Sequence, residues 1–291
     1  MNLIERKVVM RLTNQQINYF KTFGYLVFKN LFANEISEIT QGFERVWSGI
    51  GGGHHGIKHD KKQRSAVLPF IDKDKYLSAL LDNEAVDGIA SSILGDDYNY
   101  ASSDGNFYVG DTGWHSDGYT RKKYLSIKMA MYLDPVTVDT GCLRVIPGSH
   151  NIGDVFSESL QEASRTSKEQ KQKELWGITG VDVPAVALES IPGDLVVFNH
   201  RIKHSSFGGG DSRRMFTMNF SERYLDEDLS LLKDDIGNLA RFWTERAYGK
   251  VMIETAGKSR MKHLEQRLAN DDHLVDLVLK AKSEMNEPAR G

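Results

Sequence analysis

The sequence predicts a mainly β fold, a barrel or double-sheet jelly roll with α-helices packed outside it. Two observations carry that prediction. From residue 106 to about 221, short runs rich in valine, isoleucine, tyrosine and phenylalanine alternate with glycine and proline turns: GNFYVG, YLSIKMAMYL, GCLRVIPGSH, ALESIPGDLVVFNH and RRMFTMNF. Within YLSIKMAMYL, alternation sends Ile127, Met129 and Met131 to one face and Lys128, Ala130 and Tyr132 to the other.

The flanking elements follow in order. Thr13 and Gln16 make a capping box, Leu12 and Ile17 can staple it, and Gly24 supplies a stop, which predicts a first helix. YLVFKNLF at 25–32 reads as a strand. Ile36, Ile39, Phe43, Val46 and Trp47 then recur at helical spacing. The glycine-rich, charged SGIGGGHHGIKHDKKQR predicts a mobile loop. A helical stretch around 75–95 leads into YNYASSDGNFYV, the expected first strand of the main sheet. SESLQEASRTSKEQKQKELWG at 157–177 reads as a charged, helix-prone insertion, and 222–291 as mostly helical. With no repeat and no clear linker, one domain over 1–291 is expected: N-terminal helices at 12–50, a β core at about 96–221 and a helical C-terminal region at 222–291.

Bulk composition excludes several classes. A chain of 291 residues, 40% hydrophobic and 26% charged, is ordinary globular material with ample length for a core. A net charge of −3 gives no general attraction to nucleic acid or acidic membranes. The opening MNLIERKVVMRLTNQQ lacks the apolar stretch of a secretory leader, and no run of 18 apolar residues could span a bilayer. A single cysteine, Cys142, excludes an intrachain disulfide and suits a reducing compartment. A cytoplasmic protein with a small-molecule partner, and neither nucleic acid nor membrane, is expected.

The chemistry begins with GWHSDGYTR at 113–121. In a strand, residues i and i+2 share a face, so His115 and Asp117 would point together. Such a pair is most often a surface hydrogen bond. A metal site needs a third ligand, and PGDLVVFNHRIKHSSFGGGDSRR offers His200 and His204. Two histidines and one carboxylate form the facial triad of non-haem Fe(II) oxygenases, which leaves coordination positions open. A closed zinc site would want four protein ligands, usually with cysteines, and one cysteine exists. A keto-acid cosubstrate such as 2-oxoglutarate would bury a second carboxylate, which calls for an arginine. Arg213 and Arg214 follow on RRMFTMNF, and alternation lets only one face inward. Ser206, two residues after His204, is placed to share that carboxylate.

Across residues 12–221, "FGYLVFKNLF", "WHSD", "GCLRVIPGSH", "PGDLVVFNHRIKHSS" and "RRMFTMNF" occur in the order of a known family. The chain resembles the phytanoyl-CoA dioxygenase (PhyH) family of Fe(II)- and 2-oxoglutarate-dependent oxygenases, which includes the ectoine hydroxylases. The resemblance implies a double-stranded β-helix (jelly roll, cupin-like) core with flanking helices. It implies iron held by His115, Asp117 and His204, and 2-oxoglutarate anchored by Arg213 and Ser206 with Asn106 nearby. It further implies consumption of O2, release of succinate and CO2, and hydroxylation or another oxidation of a small molecule. Asp117 stands where related halogenases carry a small residue, so halogenation is not expected. Two alternatives are a jelly-roll metalloenzyme that uses no keto acid and a non-catalytic binding module.

Four further cations bear on the substrate. Lys128 on the inward face, and Arg121, Lys122 and Lys123 just after the HxD motif, could attract an anionic substrate, although such basic runs are usually solvated loops. Arg144 and PGSH read as structural, and Cys142 as a small buried hydrophobe.

Overall fold

The computed structural model describes residues 10–118, 123–166, 174–175 and 178–291. Helix α1 (Asn14–Phe23) opens on its capping box, with Thr13 Oγ1 accepting from Gln16 N at 3.2 Å and Gln16 Oε1 accepting from Thr13 N at 2.9 Å. It stops at Gly24, whose φ of 85° is left-handed. Then come β1 (Tyr25–Phe28), α2 (Ile36–Gly49), β2 (Ser65–Val67), α3 (Lys75–Ser78) and α4 (Glu84–Leu94). The strands β3 (Asn99–Tyr108), β4 (Thr112–His115), β5 (Ser126–Tyr132) and β6 (Leu143–Val145) follow. The predicted insertion supplies α5 (Val155–Thr166) and a small hairpin of β7 (Glu174–Leu175) and β8 (Ile178–Thr179). The strands end with β9 (Val186–Leu188), β10 (Leu195–Asn199), β11 (His204–Ser206) and β12 (Arg213–Ser221). Five helices close the chain: α6 (Leu229–Gly237), α7 (Lys250–Thr255), α8 (Lys258–Lys262), α9 (Glu265–Leu268) and α10 (Leu274–Glu284).

The strands form two antiparallel sheets, a larger one in the order β1-β10-β5-β12-β3-β2 and a smaller one in the order β4-β11-β6-β9. Ala130, Tyr132, Phe198 and Met215 of the larger sheet pack with Leu143 and Val145 of the smaller one, so the sheets face each other as a double-stranded β-helix. The other face of the larger sheet, with Ile127, Met129 and Met131, packs on Phe43, Trp47 and Ile89 of the helices. The alternation along β5 thus separates a helix-facing layer from an inner one, each buried apolar side chain contributing roughly 1.5–3 kcal/mol.

One expectation is corrected. The 48–64 loop is pinned rather than loose. His54 is buried with its ring nitrogens 2.9 Å from the carbonyls of Ala66 and Pro288. His59 lies 2.8 Å from Ser65 Oγ and from the Asp211 carbonyl, and stacks on Phe107. In the C-terminal region, His263 is buried against Tyr98 at a ring separation of 3.8 Å, its Nδ1 bonded to the Tyr98 carbonyl.

Asp72 ties the core to the C-terminal helices. It is buried, accepting from Tyr100 Oη and from Gly249 N, each at 3.0 Å. Burial outweighs those bonds and pushes its carboxyl up to about 6. A carboxyl raised in the folded state holds a proton that the unfolded chain has released. Its contribution is therefore complete below the ordinary value of 3.8 and lost as pH rises through about 6. Asp72→Asn is expected to flatten this slope, so that the stability gap between variant and wild type changes by up to about 3 kcal/mol between acid and neutral pH. Denaturant titrations at the two pH values measure it.

Candidate active site

The strand pair β4–β11 sets His204 directly opposite His115, with ring centroids 4.1 Å apart. Asp117 lies just past the end of β4, its N–H donating to the His200 carbonyl at 2.8 Å. His115 Nε2 stands 3.7 Å from Asp117 Oδ1, and His204 Nε2 stands 3.8 Å from Oδ2. One donor atom from each of the three lies within 4.8 Å of the others. The Nδ1 atoms of His115 and His204 sit 2.8 and 2.9 Å from the carbonyls of Gly113 and Ile202. A carbonyl only accepts, so each Nδ1 carries the hydrogen and each Nε2 turns a lone pair toward Asp117. This donor set fits a divalent metal with open positions. His200 lies outside the cluster, with Nε2 3.1 Å from Asn219 Oδ1.

The charges suit the same purpose. Burial, reinforced by the neighbouring His115, pulls His204 down to about 3, and burial likewise lowers His115. Burial would raise Asp117, but the Lys128 ammonium and then the two imidazoles outweigh it and hold the carboxyl well below its usual range. Lys128 Nζ donates to Asp117 Oδ2 at 2.6 Å. At neutral pH all three donors therefore present lone pairs.

Alternation along β12 separates the two arginines. Arg214 is bound outside the cavity to Asp134 at 2.6 Å and Glu44 at 2.8 Å. Arg213 is buried on the cavity wall, 5.2 Å from the Tyr108 ring centre, and its Nε and Nη1 have no hydrogen-bond partner among the described residues. Glycines make its space: a Cβ on Gly141 would stand 1.6 Å from Nη1, and one on Gly209 2.5 Å. Ser206 shares this wall, and its Oγ donates to the Gly141 carbonyl at 2.9 Å. A carboxylate fits this orphaned guanidinium.

Other expected residues fall elsewhere. Asn106, expected near the cosubstrate, is covered: its Oδ1 accepts from Arg64 Nε and Nη2 at 2.9 and 2.7 Å, and its Nδ2 donates to Asp104. Arg64, which the sequence reading passed over, faces the cavity instead. Lys128 is engaged by Asp117, and Lys123 by Asp228 at 2.6 Å. Arg121 and Lys122 lie outside the described residues.

The cavity holds about 1200 Å³ and joins the triad to Arg213. Its outer wall comes from the C-terminal region, with Leu231, Asn238, Leu239, Arg241 and Phe242. Sequence reasoning missed this wall, because a charged, amphipathic helical segment carries no mark of which residues face a ligand.

A jelly roll presenting two imidazoles and a carboxylate to a cavity, with a buried arginine in its wall, belongs to the non-haem iron oxygenase class. Residues 20–215 match the phytanoyl-CoA dioxygenase (PhyH) family, and the chain belongs to that family. It is an Fe(II)- and 2-oxoglutarate-dependent dioxygenase. Among solved structures it is similar to EctD from S. alaskensis with bound Fe, at 22% identity over 75% of this chain and 79% of that one, TM-score 0.55. It is also similar to the carbocyclase SnoK from nogalamycin biosynthesis, at 21% identity over 72% and 84%, TM-score 0.53. A third is EvdO2 from Micromonospora carbonacea var. aurantiaca complexed with 2-oxoglutarate, at 20% identity over 74% and 93%, TM-score 0.51. At these identities the likeness is one of fold. No curated protein sequence matches the chain.

Two outcomes are expected from this geometry. Lys128→Met removes the cation that keeps Asp117 ionised, so burial should raise its carboxyl and protons should compete with metal. Calorimetric Fe(II) affinity should then fall about tenfold from neutral pH to about pH 5.5, while wild type stays nearly flat. Arg213→Ala should weaken 2-oxoglutarate binding by about two orders of magnitude or more, the scale (~3–5 kcal/mol) for stripping one partner from a buried charge pair. Arg214→Ala should leave that binding unchanged; the reverse pattern would mean that the other arginine serves the cavity.

Proposed function

We propose that the iron of this dioxygenase is held by His115, Asp117 and His204, and that Arg213 with Ser206 anchors the distal carboxylate of 2-oxoglutarate. One observation carries the reading: a buried guanidinium with two nitrogens unpartnered among the described residues shares a cavity with three donors ready for metal. An uncompensated buried cation is destabilising by several kcal/mol, and a carboxylate ligand removes that penalty. Bound iron with 2-oxoglutarate supplies oxygen activation, with release of succinate and CO2 and oxidation of a small-molecule substrate.

The chain's own groups divide the remaining work. Carbonyls of Gly113 and Ile202 fix both imidazole orientations. Lys128 holds one oxygen of Asp117, which favours single-oxygen ligation and leaves coordination space open. Tyr108, Tyr132 and Leu143 wall the arginine side and limit water there. The cavity takes its walls from core strands and C-terminal helices alike, which supports reading the chain as one working domain. Lys123 and Lys128, the lysines expected to draw an anionic substrate, are each paired with a carboxylate of the chain. No helix among the described residues is long and apolar enough to cross a membrane, and a reducing cytoplasmic setting suits the buried, free Cys142.

Anaerobic titration with Fe(II) and 2-oxoglutarate tests the assignment. Wild type and His200→Ala should both develop a visible metal-to-ligand charge-transfer band and retain one iron. His204→Ala should retain almost none while keeping its circular dichroism. A band that survives His204→Ala but not His200→Ala would overturn the ligand set, and a metal-loaded protein with no band would favour a metalloenzyme without a keto acid.

A further inference from the structure

Resting on the proposed role of Arg213, we infer that Tyr108 is a positioning residue for 2-oxoglutarate. Its ring, backed by Arg64, holds the Arg213 guanidinium in the orientation that receives the distal carboxylate. Arg213 lacks the usual means of being oriented. Its side chain makes no hydrogen bond or ion pair among the described residues, and its Nε and Nη1 are buried. Gly141 and Gly209 clear space around Nη1, but clearing space does not aim a group. A long side chain that its ligand must first put in order binds that ligand less tightly. Another contact has to set its direction.

The sheet provides one. β3 and β12 pair with Arg213 directly opposite Tyr108, so both side chains leave the same face, and both line the cavity. Arg213 Cζ lies 5.2 Å from the centre of the Tyr108 ring. On the other side of β3, β2 sets Ser65 opposite Phe107, and the same register carried one residue further brings Arg64 level with Tyr108. Arg64 Cζ lies 4.2 Å from the same ring centre. Across these three neighbouring strands the side chains therefore run guanidinium, ring, guanidinium. The ring's π face attracts each cation, and a guanidinium on a ring keeps the N–H groups of its edge free to donate.

The two cations differ in what else they touch. Arg64 is held on several sides. Asn106 Oδ1 accepts from its Nε and Nη2 at 2.9 and 2.7 Å, and Asp104 lies 3.7 Å away. Gly291 packs against its Nη1 edge, where a Cβ would stand only 2.0 Å off. The Arg64 carbonyl accepts from Arg290 Nη1 at 2.9 Å. Arg64 is thus a fixed post beside the ring. Arg213 has the ring and the glycine walls, with its donors free. The ring passes a fixed position on to the one guanidinium able to bind a carboxylate. Asn106, two residues before Tyr108 on the same strand face, therefore reaches the cosubstrate through Arg64 and Tyr108 rather than by contact.

The test uses the full chain loaded anaerobically with Fe(II), its charge-transfer band titrated with 2-oxoglutarate. Tyr108→Leu should weaken 2-oxoglutarate about fivefold to tenfold, the range of a buried cation–π contact, while calorimetric Fe(II) affinity stays at the wild-type value. Tyr108→Phe, which keeps the ring, should bind like wild type. In an Arg213→Ala background the same leucine substitution should have no further effect, because it acts through that guanidinium. A ring-fluorinated phenylalanine at position 108 keeps the shape and weakens the π face. It should fold as Tyr108→Phe does and still reproduce part of the loss, which decides the matter even where the leucine variant is unstable. Wild-type affinity in Tyr108→Leu would overturn the proposal. So would an equal loss in both Arg213 backgrounds, or a fluorinated variant that binds like Tyr108→Phe. These results leave the anchor reading standing wherever Arg213→Ala alone weakens 2-oxoglutarate. Where Arg213→Ala does not, the anchor reading itself fails and takes the role of Tyr108 with it.

Discussion

The register between β4 and β11 is the constraint on which the rest of the site depends. Side chains alternate along a strand, so a slip of one residue would turn His204 away from His115 and take the metal set apart. Pairing fixes more than direction. Each imidazole is locked by a carbonyl two residues back in its own segment, so the strand that carries the ligand also selects its tautomer. Asp117, just past the strand, is tied to the same frame through its N–H to the His200 carbonyl. The donors are thus held by backbone geometry rather than by mutual attraction, which suits groups that must stay near each other with or without an ion.

A second constraint is the room required by Arg213. Its guanidinium fits only because Gly141 and Gly209 have no side chains, and Gly141 also adopts a φ of +88° that few other residues tolerate. Ser206 donates to the Gly141 carbonyl, so the hydroxyl beside the arginine also steadies the glycine that makes its space. Gly141 of GCLRV and Gly209 of FGGGD, which read as ordinary turn punctuation in the sequence, are the walls of the space that Arg213 occupies.

What could be read in advance follows from range. Features set by neighbours in the chain were readable, such as the capping box at Thr13, the two faces of YLSIKMAMYL and the single inward arginine of RRMFTMNF. The order of motifs further identified the family. Features set by distant partners were not. The 48–64 loop has the composition of a mobile segment, but His54 and His59 bond it to Pro288 and Asp211. Asn106 looked like a cosubstrate contact because its place on β3 is correct, and only the fold shows Arg64 lying over it. Lys128 reads as a candidate substrate cation, and its ion pair with Asp117, just past the end of β4, is set by the fold rather than by periodicity.

The match to the family ends at residue 215, whereas the outer wall of the cavity is built after residue 222. The two halves of the cavity therefore carry different kinds of information. Core strands hold the two imidazoles, the carboxylate and the buried Arg213 that face the cavity. The C-terminal wall adds Arg241 and the apolar faces of Leu239 and Phe242, which have no evident part in holding metal or keto acid. Groups with no role in the shared chemistry, yet facing its cavity, are where substrate choice has to be made. The seating of the C-terminal helices on the core therefore shapes the part of the cavity that the shared chemistry leaves free.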